Sequence, residues 1–137
     1  MTALSLVLLD TDILSAVMRR NPGATERARS YLETHRQLTF SVITRYEVLR
    51  GLLVKGATKQ LAAFDKLCAT SRVLPVTESI IVQAATIYAD LHRRGELIGD
   101  ADILIAATAI THGLAVATNN EVHFRRVRDL QLENWLK

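Results

Sequence analysis

Two Asp-x-Asp steps and an isolated Glu are the residues in this chain with chemistry to offer. Asp10 and Asp12 stand in Leu8-Leu9-Asp10-Thr11-Asp12-Ile13, Glu47 in Thr44-Arg45-Tyr46-Glu47, and Asp100 and Asp102 in Gly99-Asp100-Ala101-Asp102-Ile103. A fourth polar group, Thr118-Asn119-Asn120-Glu121, comes later. Carboxylates packed together repel and resist ionisation unless cations neutralise them. Hard divalent ions with oxygen ligands do this, Mg²⁺ taking one or two carboxylates plus waters and phosphate oxygens. An acidic Mg²⁺ site on a mildly basic chain, net charge +3 and pI near 9.4, suits phosphodiester chemistry.

Each acid also has a local structural reading. Asp10 or Asp12 suits a helix N-cap. Glu47, three residues after Thr44, suits a capping box. Asp100 and Asp102 gain from a helix dipole whatever else they do, and Thr118 to Glu121 suits a turn. Convergence on one rim is what would set the chemical reading apart.

That convergence requires a particular set of elements. Leu4 to Leu9 is a nearly continuous apolar run ending at Asp10, the mark of a strand covered on both faces. Val73 to Val76 and Leu114 to Ala117 look alike, and Leu38 to Val42 is weaker. Helical spacing fills Ile13 to Arg20, Thr25 to Glu33, Thr44 to Val54, Lys59 to Leu67, Ser79 to Arg94 and Ala101 to His112, the last two stopped by Gly95 and Gly113. Strands alternating with helices predict an α/β fold with a mostly parallel sheet. In such folds function gathers beyond the carboxyl ends of the strands, where Asp10 and Thr118 fall.

At 137 residues the chain is expected to form one domain spanning 1–137, since a domain takes roughly 150 residues. With 49% apolar and 23% charged residues it is neither a disordered nor a collagen-like sequence. Its single cysteine, Cys68, permits no internal disulfide and no multi-cysteine zinc site. The Leu6 to Leu9 run is too short for a signal segment or a membrane span, so a cytoplasmic location with no membrane partner is expected.

Taken in order, these motifs resemble those of PIN-domain ribonucleases, specifically VapC-like toxins of type II toxin–antitoxin systems. The likeness runs from Leu8-Leu9-Asp10-Thr11-Asp12-Ile13-Leu14-Ser15 through Ser41-Val42-Ile43-Thr44-Arg45-Tyr46-Glu47-Val48 and Ile98-Gly99-Asp100-Ala101-Asp102 to Ala117-Thr118-Asn119-Asn120 and Leu132-Glu133-Asn134-Trp135. The resemblance implies a three-layer α/β/α fold with a central, mostly parallel sheet of four to five strands. It implies a Mg²⁺-dependent endoribonuclease toxin, Mn²⁺ substituting, that acts on a structured RNA such as tRNA or rRNA and so inhibits translation. Asp10, Glu47 and Asp102 become the metal-binding acids, with Asn120 near the place of a fourth acid that many relatives have. Thr11, Asp12, Asp100 and Thr118 would support them from behind. A cognate VapB-like antitoxin and a homodimer are the implied partners.

Two departures stand out: Asp12 replaces a common Asn, and Asn120 lacks a charge that would help hold a second ion. Arg45, Arg50, Arg93, Arg94, Arg125 and Arg126 are the cations placed to grip RNA, since phosphate contacts position a nucleic acid without reading it. With 5% aromatic residues an extended base-stacking platform is not expected. Hydrolysis in such a site needs no histidine base, and His35, His92, His112 and His123 read as helix-surface positions, His123 being the one near an acidic motif. Two rival readings remain at this point. Asp10-Thr11-Asp12 also resembles the start of haloacid-dehalogenase-type phosphatases, with Asp10 as nucleophile. Alternatively, with Asn120 for an acid, the chain is a degenerate PIN module that binds RNA or a partner without cutting.

Overall fold

The computed structural model describes residues 5–137, so the expected start of the first strand at Leu4 lies outside the described residues. Five short strands and seven helices follow in the order β1 (Val7–Leu9), α1 (Thr11–Met18), α2 (Pro22–His35), β2 (Thr39–Ser41), α3 (Val42–Lys55), α4 (Thr58–Thr70), β3 (Arg72–Leu74), α5 (Glu78–Arg94), α6 (Asp100–His112), β4 (Ala115–Ala117), α7 (Glu121–Phe124) and β5 (Leu132–Glu133). Every strand pairing is parallel. The ladders form two groups, β1-β4-β5 and β2-β3, with β1 and β2 side by side.

The apolar run of β1 is explained by cover on both faces. Leu8 points into a core shared with Ile80, Leu91, Ile105 and Phe124. Val7 and Leu9 point the other way, into a core with Ile13, Tyr31, Phe40 and Trp135. That alternation is the two-residue period of a strand. It gives the three-layer α/β/α arrangement that the resemblance implied, with α5 and α6 on one face and α1, α2 and α3 on the other.

Several boundaries differ from the sequence reading. Helix α3 begins at Val42, because the Ser41 hydroxyl accepts from the Ile43 amide and caps it there. Thr44 therefore lies inside the helix, and the capping-box reading of Glu47 fails. Helix α6 begins at Asp100, one residue before the expected Ala101. Strand β5 and helix α7 have no counterpart in the sequence reading. Gly113 does end α6, in the left-handed region at φ 67°, where a side chain would be strained.

Candidate active site

Asp10 follows β1 directly, and its amide donates to the Ala117 carbonyl at 2.9 Å, carrying the β1-β4 pairing one residue further. Its carboxylate is buried. One oxygen accepts from the Thr11 amide at 2.7 Å, which caps α1, and the other from the Thr118 hydroxyl at 2.8 Å. Capping and site-building are thus the same act for this residue. The Thr118 hydroxyl also accepts from the Asn120 amide at 2.9 Å, so one side chain ties the end of β4 to the first acid and shapes the turn after it.

Asp12 lies in the first turn of α1. Its Oδ2 accepts from the Asn119 amide at 3.0 Å, while its Oδ1 is buried with no hydrogen-bond partner. It does not cap α1, so its charge is added to the site. Glu47, one turn into α3, accepts the Thr11 hydroxyl on Oε1 at 2.6 Å, and its Oε2 is 3.6 Å from Arg50. Asp102, in the first turn of α6, sits at the third corner, with its Oδ2 3.7 Å from His123 Nδ1. Asp100 is exposed.

The charges of these acids act on one another. Burial pushes the Asp10 carboxyl up to about 7, with repulsion from Asp12 next in importance and Asp102 adding to it. Burial also raises Asp12. Asp102 is raised by burial and then by the charge of Glu47, and His123 partly offsets this. A cation among these carboxyls would favour their ionised forms.

The donor set fits a hard divalent cation: all carboxylate oxygens, one of them buried and unsatisfied on Asp12, at the edge of a basic chain. Among the described residues no group of three or more His, Cys, Asp or Glu side chains is gathered tightly enough to enclose an ion unaided.

The proposed RNA-gripping cations separate into two groups. Arg94 is bound to Asp90 at 2.7 Å and to the Arg126 carbonyl at 2.6 Å, and Arg126 donates to the Leu97 carbonyl at 3.1 Å. These two clamp the segment that leads into α6. Arg45 faces Cys68 on α4, Arg125 pairs with Glu121 at 3.1 Å, and Arg93 lies beside Asp90 on α5. Arg50 is half exposed beside Glu47, with its guanidinium 5.0 Å from the Tyr46 ring centre, the best placed of the six.

Asn120 is beside the site, but its amide reaches His123 Nδ1 at 2.9 Å and touches no acid. The sequence reading missed His123 as a neighbour of Asp102. Its spacing from Asn120, three residues along a helical turn, was the signal available.

A parallel three-layer fold with Asp10 at the carboxyl edge of β1, Glu47 on the helix after β2 and Asp102 in the first turn of α6 defines the class. The PIN domain family model matches residues 7–130. The chain belongs to the PIN domain family, and within it to the VapC-like ribonuclease toxins. It is 31% identical over 129 residues to Ribonuclease VapC1 of Methanocaldococcus jannaschii, covering 94% of this chain and 86% of that protein. It is 30% identical over 129 residues to the tRNA(fMet)-specific endonuclease VapC of Salmonella typhimurium, covering 93% and 96% respectively. Among solved structures, DNA-bound VapBC of Salmonella typhimurium superposes with a TM-score of 0.85 at 26% identity, over 96% of this chain and 99% of that one. VapBC-1 of nontypeable Haemophilus influenzae gives 0.82 at 28%, over 96% and 98%. The match to this family removes the phosphatase reading.

Proposed function

We propose that this chain, folded as one domain over 1–137, is a Mg²⁺-dependent endoribonuclease that cuts a structured RNA, tRNA being the first candidate. The observation that carries this reading is the buried Asp10 carboxylate, fixed on both oxygens and set against Asp12 and Asp102. A tRNA substrate is supported by the similarity to the tRNA(fMet)-specific relative. Asp10, Glu47 and Asp102 would hold the ion, directly or through water. When bound, it supplies Lewis acidity and neutralises charge on the phosphoryl oxygens.

The chain's own residues do the positioning. Thr11 and Thr118 orient Asp10, and Thr11 also orients Glu47, so the carboxylates need little reorganisation when charge develops at phosphorus. Arg50 steers the RNA backbone to the Glu47 side of the rim. Clustered acids without a cation repel phosphate, which keeps substrate out until the site is charged-balanced.

The partner is a VapB-like antitoxin, in keeping with the VapBC complexes of similar fold. A groove of about 670 Å³ between α1, α3 and α4 opens beside Thr11 and Glu47 and runs over Val17, Met18, Leu52 and Leu67. An antitoxin tail with apolar side chains would fill it and bring a Lys or Arg to the acids. Exposed Leu53 and Val54 on α3, with Ile81 and Val82 on α5, are apolar surface for a second copy of the chain. None of the helices among the described residues is long and apolar enough to cross a membrane.

The test is cleavage of a tRNA pool by the purified chain with Mg²⁺, mapped by its new 5′ ends, beside Asp10→Asn. Discrete cuts that vanish in Asp10→Asn support the reading. Metal binding without any cleavage of tRNA or rRNA would favour the non-catalytic module.

A further inference from the structure

Most aromatic rings of this chain are used up in its core: Tyr31, Phe40, Phe64, Phe124 and Trp135 are all buried. Tyr88, on α5, stacks on His92. Tyr46 differs from all of these, because it is 57% exposed and stands next to an acid of the site. Thr44 and Val48 are the buried residues of α3, and a residue two places from each falls on the far side of a 3.6-residue turn. Tyr46 thus points away from the core. Its neighbours at helical spacing, Ile43, Glu47 and Arg50, share one flank of the helix. Ile43 packs against the core built by α5 and α6, which turns that flank toward the Asp102 side of the site.

Arg50 joins the ring to the acids. Its guanidinium lies 5.0 Å from the Tyr46 ring centre and 3.6 Å from Glu47 Oε2. A guanidinium over one ring face holds that face, and the exposure of Tyr46 leaves the other to solvent. The Tyr46 hydroxyl has no hydrogen-bond partner among the described residues. Helix stability does not account for the residue, since aromatic side chains are weaker helix formers than Ala, Lys or Glu. What an open, fixed ring face offers is a stacking surface for another flat ring, and RNA bases are flat rings.

We propose that Tyr46, backed by Arg50, is a specificity-determining residue whose open face stacks on one unpaired RNA base beside the bond that is cut. The inference rests on the nuclease reading above. A base inside a duplex has both faces taken by its neighbours, so only a nucleotide in a loop, bulge or end can lay one on Tyr46. One ring is a single step and not an extended platform, in keeping with 5% aromatic residues. Arg50 meets a phosphate while Tyr46 holds the base, both from one turn of α3.

The experiment uses the full chain as wild type, Tyr46→Ala and Tyr46→Phe. Because Tyr46 is exposed, both variants should melt with wild type. RNA hairpins carry the fluorescent base 2-aminopurine at successive loop positions, and quenching on binding to the Asp10→Asn form of each protein is followed at several salt concentrations. The expected result is quenching at one loop position that Tyr46→Ala removes and Tyr46→Phe keeps. Affinity should fall about fivefold or more in Tyr46→Ala, the lower end of what one stacked base contributes. The salt slope should not change, because no charge has been lost. An abasic nucleotide at that loop position should weaken binding to wild type and cost Tyr46→Ala nothing further. Equal affinity, quenching and tRNA cut pattern in Tyr46→Ala overturn the stacking site and leave the nuclease reading intact. A changed oligomeric state by light scattering, with RNA affinity unaltered, overturns it in favour of a protein interface at Tyr46. Absence of RNA binding and cleavage by every form overturns the nuclease reading itself.

Discussion

The Thr11 hydroxyl donates to Glu47 Oε1 at 2.6 Å across 36 positions of sequence, so the helix that Asp10 caps also holds the second acid. One threonine thereby links two carboxylates from different elements through its amide and its hydroxyl. Thr11→Val keeps the shape and the amide but removes the hydroxyl. We expect folding to survive and divalent-metal affinity to fall about 10- to 100-fold, the usual cost of losing an orienting group. Calorimetry shows this, and an unchanged affinity would mean that Glu47 is fixed by other means.

Asp102 and Asp100 separate cleanly in the structure, the first at the acid rim and the second exposed at the helix start. Asp102→Asn should abolish metal-dependent RNA cleavage, and Asp100→Asn should retain measurable activity. Both should unfold close to the wild-type temperature, because neither side chain is in the core. Cleavage rates in the reverse order would make Asp100 the ligand.

A carboxyl raised when folded destabilises the native state as it ionises. Asp10 moves from an ordinary 3.8 to about 7, so between these values the folded chain binds more protons than the unfolded chain. Stability of the metal-free chain should therefore fall as pH rises from about 4 to about 7, with the loss complete above that range. Asp12 and Asp102 add the same sign. Thermal unfolding in chelator, repeated with Asp10→Asn, should show the slope and its flattening. A metal-free Tm that rises with pH over this range would contradict the raised carboxyl.

Arg94 and Arg50 should fail in different ways. Arg94 ties α5 to the Arg126 carbonyl, so Arg94→Ala should lower Tm by a few degrees and loosen the start of α6. Arg50→Ala should leave Tm alone, weaken RNA binding and reduce its salt dependence by about one ion. Filter binding at several salt concentrations, beside a melting curve, separates the two. A normal Tm for Arg94→Ala with a reduced salt slope would return Arg94 to the RNA surface.

The strands and the acids were legible in the sequence because each leaves a one-dimensional mark. The covered strand β1 shows as an unbroken apolar run, and Asp10 shows as its abrupt end. Glu47 was legible as a candidate but not in its local setting. Thr44 to Glu47 has the spacing of a capping box, yet Ser41 captured the cap earlier and turned Glu47 toward Thr11. Strand β5, two half-buried residues, carries too short a pattern to read. The clamp of Arg94 and Arg126 and the approach of His123 to Asp102 are tertiary events between segments that no periodicity connects.

The pairing of β1 with β4 also sets when the site comes into being. Asp10 leans on Thr118 and on the Ala117 carbonyl, and the turn after β4 closes over Asp12 through the Asn119 amide. During synthesis, all three acids leave the ribosome before Ala117 and Thr118, which complete the fixing of the first of them. A growing chain that has emerged only through α6 thus carries the acids without their scaffold. The acid site is therefore complete only once the segment through β4 has folded back onto β1.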